Sequence, residues 1–178
     1  MKTLNSLKIM KTNTQVLIFI FINIFILTCG LTFGQKPSFT GNWTLNEGKS
    51  QMGDGRGRMA ASKIKIAQDA NAITMEKTST SPSGDEFTSK EIVTLDGKES
   101  VNTIFDNRTK KSTATWSADG KLLTINSTSV FERDGNTMEI KSVEIYKLSD
   151  DGNTLSIDAT SSSPRGERKQ TLAYDKAK

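Results

Sequence analysis

The stretch Ser117-Ala118-Asp119-Gly120-Lys121-Leu122-Leu123-Thr124-Ile125-Asn126-Ser127-Thr128-Ser129-Val130-Phe131 decides the architecture. It opens on an Asp-Gly pair, which tolerates the positive φ of tight hairpin turns. It then sets Leu123, Ile125, Ser127, Ser129 and Phe131 on every second residue. A period of two places these side chains on one face of a β-strand. A helix would need apolar residues three and four apart. The same signature returns at Ser149-Asp150-Asp151-Gly152-Asn153-Thr154-Leu155-Ser156-Ile157, which shares Ser-x-Asp-Gly-x-x-Leu-x-Ile with residues 117–125. The repeated unit is therefore a turn feeding a strand.

Working outward, the alternation continues in both directions. Phe39, Gly41, Trp43 and Leu45 share one parity, as do Ile64 with Ile66, Ile73 with Met75, and Val93 with Leu95. Val101 and Phe105, Ala114 and Trp116, Met138 and Ile140, and Leu172 and Tyr174 extend the pattern. Val143 and Ile145 switch parity, which predicts a β-bulge at Lys141 and Ser142. Further Asp-Gly pairs at 96–97 and 134–135 separate the runs. The predicted strands are 39–45, 62–68, 72–80, 85–95, 99–105, 110–117, 121–131, 137–148, 154–161 and 167–174. A count of eight or nine is equally defensible. Short linkers make neighbours antiparallel. A long meander with one apolar face closes on itself or leaves two sticky edges. The expected fold class is thus all-β, an antiparallel up-and-down meander of about 8–10 strands closed into a barrel. An open two-sheet sandwich is the alternative. One linker is long, residues 46–61, with glycines at 48, 53, 55 and 57, and is expected to arch over one end.

Residues 1–34 read differently. Lys2, Lys8 and Lys11 precede an apolar run at 16–27, and small or polar residues follow up to Gly34. A basic start, an apolar run and a small-residue exit describe a secretory signal peptide. Cleavage would leave Gln35 first, so residues 35–178 form a single domain. The alternative is a lipoprotein cut before Cys29. Removing the segment takes away three lysines and no acid, leaving 21 basic against 20 acidic side chains. Bulk charge therefore gives no reason to expect nucleic acid. No membrane span is expected after cleavage, and the address is secreted or periplasmic. The chain has no His and one Cys, which excludes imidazole triads and thiolate metal clusters. No cofactor and no metal are expected.

The residues Phe39-Thr40-Gly41-Asn42-Trp43 resemble the first-strand motif of lipocalins, an apolar residue followed by Gly-x-Trp. The resemblance implies that Trp43 plugs the closed end of a lipocalin-like barrel and that Gly41 lets the strand bend. It further implies that a basic residue of the last strand, Arg168 or Lys169, packs over the Trp. The departures are the absence of a Thr-Asp-Tyr-like second motif, of a helix before the last strand, and of disulfide cysteines. The chain is thus similar to an outlying bacterial member of that family. Such barrels carry a small apolar or amphipathic ligand.

Two sets of residues are candidates for binding. Phe105, Trp116, Leu123, Ile125, Phe131, Met138 and Ile140 share the inner wall and would line a pocket, with Ser127, Ser129, Thr113 and Thr115 beside them. The plain alternative is a solid core. The meander also sends alternate loops to opposite ends. All six arginines, including Arg108, Arg133 and Arg168, fall at or beside one end; Asp69, Asp96, Asp119, Asp150 and Asp151 fall at the other. Arg108 and Arg133 would draw an anionic head-group, since guanidinium forks suit carboxylate and phosphate. No carboxylate pair stands out for catalysis among the twenty. The expectation is an exported, non-catalytic binding protein for a small hydrophobic or amphipathic ligand, including an anionic one. The alternative is a structural or interaction protein of the cell envelope with a filled barrel.

Overall fold

The computed structural model describes residues 36–53, 60–81, 83–104, 108–133, 135–164 and 166–178, without the side chains of 133 and 136. The expected signal peptide, Phe105, and Arg56, Arg58 and Arg165 lie outside the described residues. Ten strands follow in order: β1 Gly41–Leu45, β2 Lys63–Gln68, β3 Ala72–Thr80, β4 Glu86–Thr94, β5 Ser100–Ile104, β6 Arg108–Trp116, β7 Leu122–Arg133, β8 Asn136–Leu148, β9 Thr154–Ser163 and β10 Gly166–Lys176. A single 3₁₀ turn, Glu47–Lys49, is the one helical piece among the described residues.

All ten strands belong to one antiparallel sheet in the order β4-β3-β2-β1-β10-β9-β8-β7-β6-β5. Nine of the ten junctions that would close a ring are therefore made, and the barrel is nearly closed. The tenth, between β4 and β5, carries no backbone ladder. Asn102 bridges it: its Nδ2 donates to the Ile92 carbonyl at 2.9 Å, and its Oδ1 accepts from the Ile92 N–H at 2.8 Å. Ser100 Oγ accepts from the Thr94 N–H at 3.0 Å. Side-chain groups thus occupy an edge that would otherwise stay unpaired.

The two echoed turns are built alike. Ser117 Oγ donates to Asp119 at 2.5 Å and accepts from the Leu122 N–H at 3.0 Å. Ser149 Oγ donates to Asp151 at 2.6 Å and accepts from the Thr154 N–H at 2.9 Å. Gly120 and Gly152 take φ of 71° and 70°, where a Cβ would be strained. The aspartates of this end are turn builders. The Asp119 and Asp151 carboxyls are held low by the hydroxyl and amide donors around them, Asp151 at about 2.

One expectation is corrected, and one is met by the described residues only at its start. β8 has no bulge: it pairs one-to-one with β7 from Leu122↔Lys147 to Arg133↔Asn136, and with β9 from Lys141↔Ser162 to Leu148↔Leu155. An unbroken ladder keeps parity, so Met138, Ile140, Ser142, Glu144, Tyr146 and Leu148 share the inner face. Val143 is 37% exposed on the outside. The apolar residues changed sides; the strand did not. The long linker does not leave β10 at once either. Gln51 forms a β-bridge with Thr171, so the chain after the 3₁₀ turn continues along β10.

Candidate functional site

Register stacks the inward side chains into layers. One layer toward the Asp-rich end joins Trp116, Leu123, Tyr146, Ile157 and Leu172 across β6 to β10. Phe39 caps it from the segment before β1. Its ring stacks on Trp116 at 5.9 Å and meets Tyr146 edge-on at 6.1 Å. Trp43 lies beside it, 1% exposed, its Nε1 donating to the Phe39 carbonyl at 2.9 Å. Phe39 and Trp43, both buried, fill this end. A Cβ on Gly41 would meet Lys176 Cε at 3.3 Å and the Trp43 ring nitrogen at 3.5 Å. The cation over the Trp43 ring is Lys176, 5.6 Å from its centroid, in place of the expected Arg168 or Lys169. Register explains it: Trp43 pairs with Lys176, whereas Arg168 pairs with Ser161 toward the other end.

Above the plug the lumen is crossed by charge. Lys77 of β3 donates to both Glu144 oxygens of β8 at 3.2 Å and lies 4.0 Å from Glu91 of β4. Lys110 of β6 donates to Glu91 at 2.7 Å across the unladdered β4–β5 seam. The Tyr146 hydroxyl donates to Glu144 at 3.2 Å. Glu91 is 3% exposed and Lys110 8%. Two ammoniums and two carboxylates leave this brace neutral. Burial alone would raise the Glu144 carboxyl, but Lys77, Lys110 and the Tyr146 hydroxyl bring it down to about 2. Burial opposes the Lys77 charge as well, yet the facing carboxylates hold it well above its ordinary value. Burial, reinforced by Glu144, pushes the Tyr146 phenol far up. Sequence reading missed this brace because it took parity from apolar residues only. Continuing the parity of Ile73 and Met75 reaches Lys77, that of Val93 reaches Glu91, that of Ala114 reaches Lys110, and that of Tyr146 reaches Glu144.

Beside the brace runs a row of hydroxyls. Ser100, Ser112, Ser127, Ser142 and Ser161 pair in register across five successive strands, and Ser161 pairs with Arg168 of the sixth. Ser127 and Ser142 hydroxyls are 2.8 Å apart. Ser112 Oγ is buried with no hydrogen-bond partner. At the β8–β10 side of this row opens a cleft of about 600 Å³. Its inner wall is Ile140, Ser142, Glu144, Ala159, Ser161 and Gln170. Arg168, Lys169 and Glu167 stand at its rim, and Met52 and Gly53 cover one side.

The expected site residues divide between these regions. Leu123 and Ile125 are 0% exposed inside the packed half and do not reach the cleft; Trp116 packs against them. Ile140 lines the cleft. Phe131 pairs with Met138 near the arginine end, and the Arg108 guanidinium lies 4.3 Å over the Phe131 ring. Thr115 is exposed on the outer face. Phe105 and the Arg133 side chain lie outside the described residues. Among the described residues no cluster of metal-ligating side chains occurs and no helix is long and apolar enough to cross a membrane.

No family model and no curated protein matches the sequence. Among solved structures, the zebrafish ileal bile acid-binding protein complexed with cholic acid is similar over 78% of this chain and 98% of its own, with 21% identity and a TM-score of 0.49.

Proposed function

We propose that the protein is an exported, non-catalytic binding protein for a small amphipathic molecule, which enters at the β8–β10 side of the arginine-bearing end. The cleft of about 600 Å³ carries this reading. It falls within the size range of small-molecule sites and sets two apolar wall residues, Ile140 and Ala159, among converging polar groups. The opposite end is plugged by Phe39 and Trp43, so a ligand has one way in. The brace supports binding without chemistry. Its charges are matched within itself, and neither Glu144 nor Lys77 is poised to exchange a proton near neutrality. Export rests on the pattern of residues 1–34, with lipidation at Cys29 as the competing fate.

The test is Nile red, an uncharged dye whose emission rises in apolar surroundings. Wild-type protein should bind it one-to-one. Ala159→Trp, which fills the cleft, should abolish the signal while unfolding cooperatively. Equal emission from both proteins would place the dye elsewhere and sink the reading. The filled-barrel alternative predicts no emission from either.

A further inference from the structure

Resting on that reading, we infer that the cleft selects a neutral, hydroxyl-rich head-group, of the glycoside kind, and rejects a carboxylate or sulfate of the same tail. The argument starts from charge. The inward ammoniums, Lys77 and Lys110, already face Glu144 and Glu91 at 3.2 and 2.7 Å. An anion reaching them would meet two carboxylates and displace a matched partner, and like charges at short range in a poorly solvated site are costly. The Arg108 guanidinium lies over the Phe131 ring. Arg168 pairs in register with Ser161 and so stands on the cleft face, with its side chain exposed at the mouth beside the Lys169–Glu167 pair at 3.1 Å. Solvent screens a rim cation.

Neutral hydroxyls find what an anion does not. Glu144 is an ionised carboxylate on the cleft wall, an acceptor with about four lone-pair sites. It takes two bonds from Lys77 and one from Tyr146. Ser142 and Ser161 both donate and accept, and Gln170 supplies an amide of each kind. A site of this composition discriminates for groups that both give and receive hydrogen bonds.

The measurement is isothermal titration calorimetry of protein recovered from cells producing the whole 178-residue chain, with n-octyl-β-D-glucoside and n-octyl sulfate below their micelle concentrations. The tails are equal and the head-groups differ. The glucoside should bind at least about tenfold more tightly. Ser161→Ala should weaken it about fivefold, the worth of one hydrogen bond, and Lys121→Gln, exposed in a turn at the opposite end, should leave it unchanged. Ser161 is partly exposed and its loss leaves the sheet intact, which a thermal melt verifies. Tighter binding of the sulfate, lost in Arg168→Gln, would overturn the head-group inference while leaving the amphipathic reading in place. Binding of neither detergent would overturn both.

Discussion

Single residues decide whether the interior is an ionic floor or a loose polar pocket. Replacing Glu144 with Gln leaves Lys77 with Glu91 alone, at 4.0 Å. Removing one partner of a buried pair costs about 3–5 kcal/mol. Urea unfolding should show that loss, and the double change Lys77→Met with Glu144→Leu should recover most of it. The acid profile follows from the same carboxyl. Its folded value of about 2 lies below its ordinary 4.5. It therefore stabilises the fold fully above 4.5, and that contribution disappears as pH falls from 4.5 toward 2. The loss is on the order of 3 kcal/mol. Glu144→Gln should lack this part of the profile; parallel acid profiles for the two proteins would contradict the assignment. At the closed end, Phe39→Ala should cost about 3–5 kcal/mol, as for a fully buried aromatic, measured as a shift in the urea midpoint.

Among the elements, the hairpins were legible and the seam was not. Strand limits follow from alternation and from Asp-Gly turns, both local properties of the chain, and the ten predicted runs match the ten observed strands. Whether the first and last members of a meander meet is not local. β4 and β5 are neighbours in sequence, yet residues 95–99 do not zip them together, and the Asn102 and Ser100 side chains take the place of a ladder. Asn102→Ala removes two hydrogen bonds and should cost about 1–3 kcal/mol. Hydrogen exchange at the Ile92 amide should quicken well beyond that global loss; uniform quickening along the sheet would mean that Asn102 is not a local latch. The β8 parity change shows a second limit. Apolar residues mark the inner face only where that face is apolar, and here Ser142 and Glu144 occupy it. The functional half of the barrel hid behind its own polarity for that reason.

At the scale of the molecule, the barrel has a plugged apolar end, a neutral charged brace across its middle, and a polar cleft toward the arginine end. The arginine and aspartate ends were readable from loop alternation, although the aspartates prove to build turns. The cleft was not readable, because it depends on which layers the side chains fill. Its occupancy is the central claim. The direct test is a native mass spectrum of the protein purified from its own host, recorded again after denaturation. The account predicts one reproducible extra mass that disappears on denaturation, on a chain beginning at Gln35, and absent from Ala159→Trp. A wild-type spectrum showing the bare polypeptide alone would contradict it and point to a filled barrel that acts through its surface.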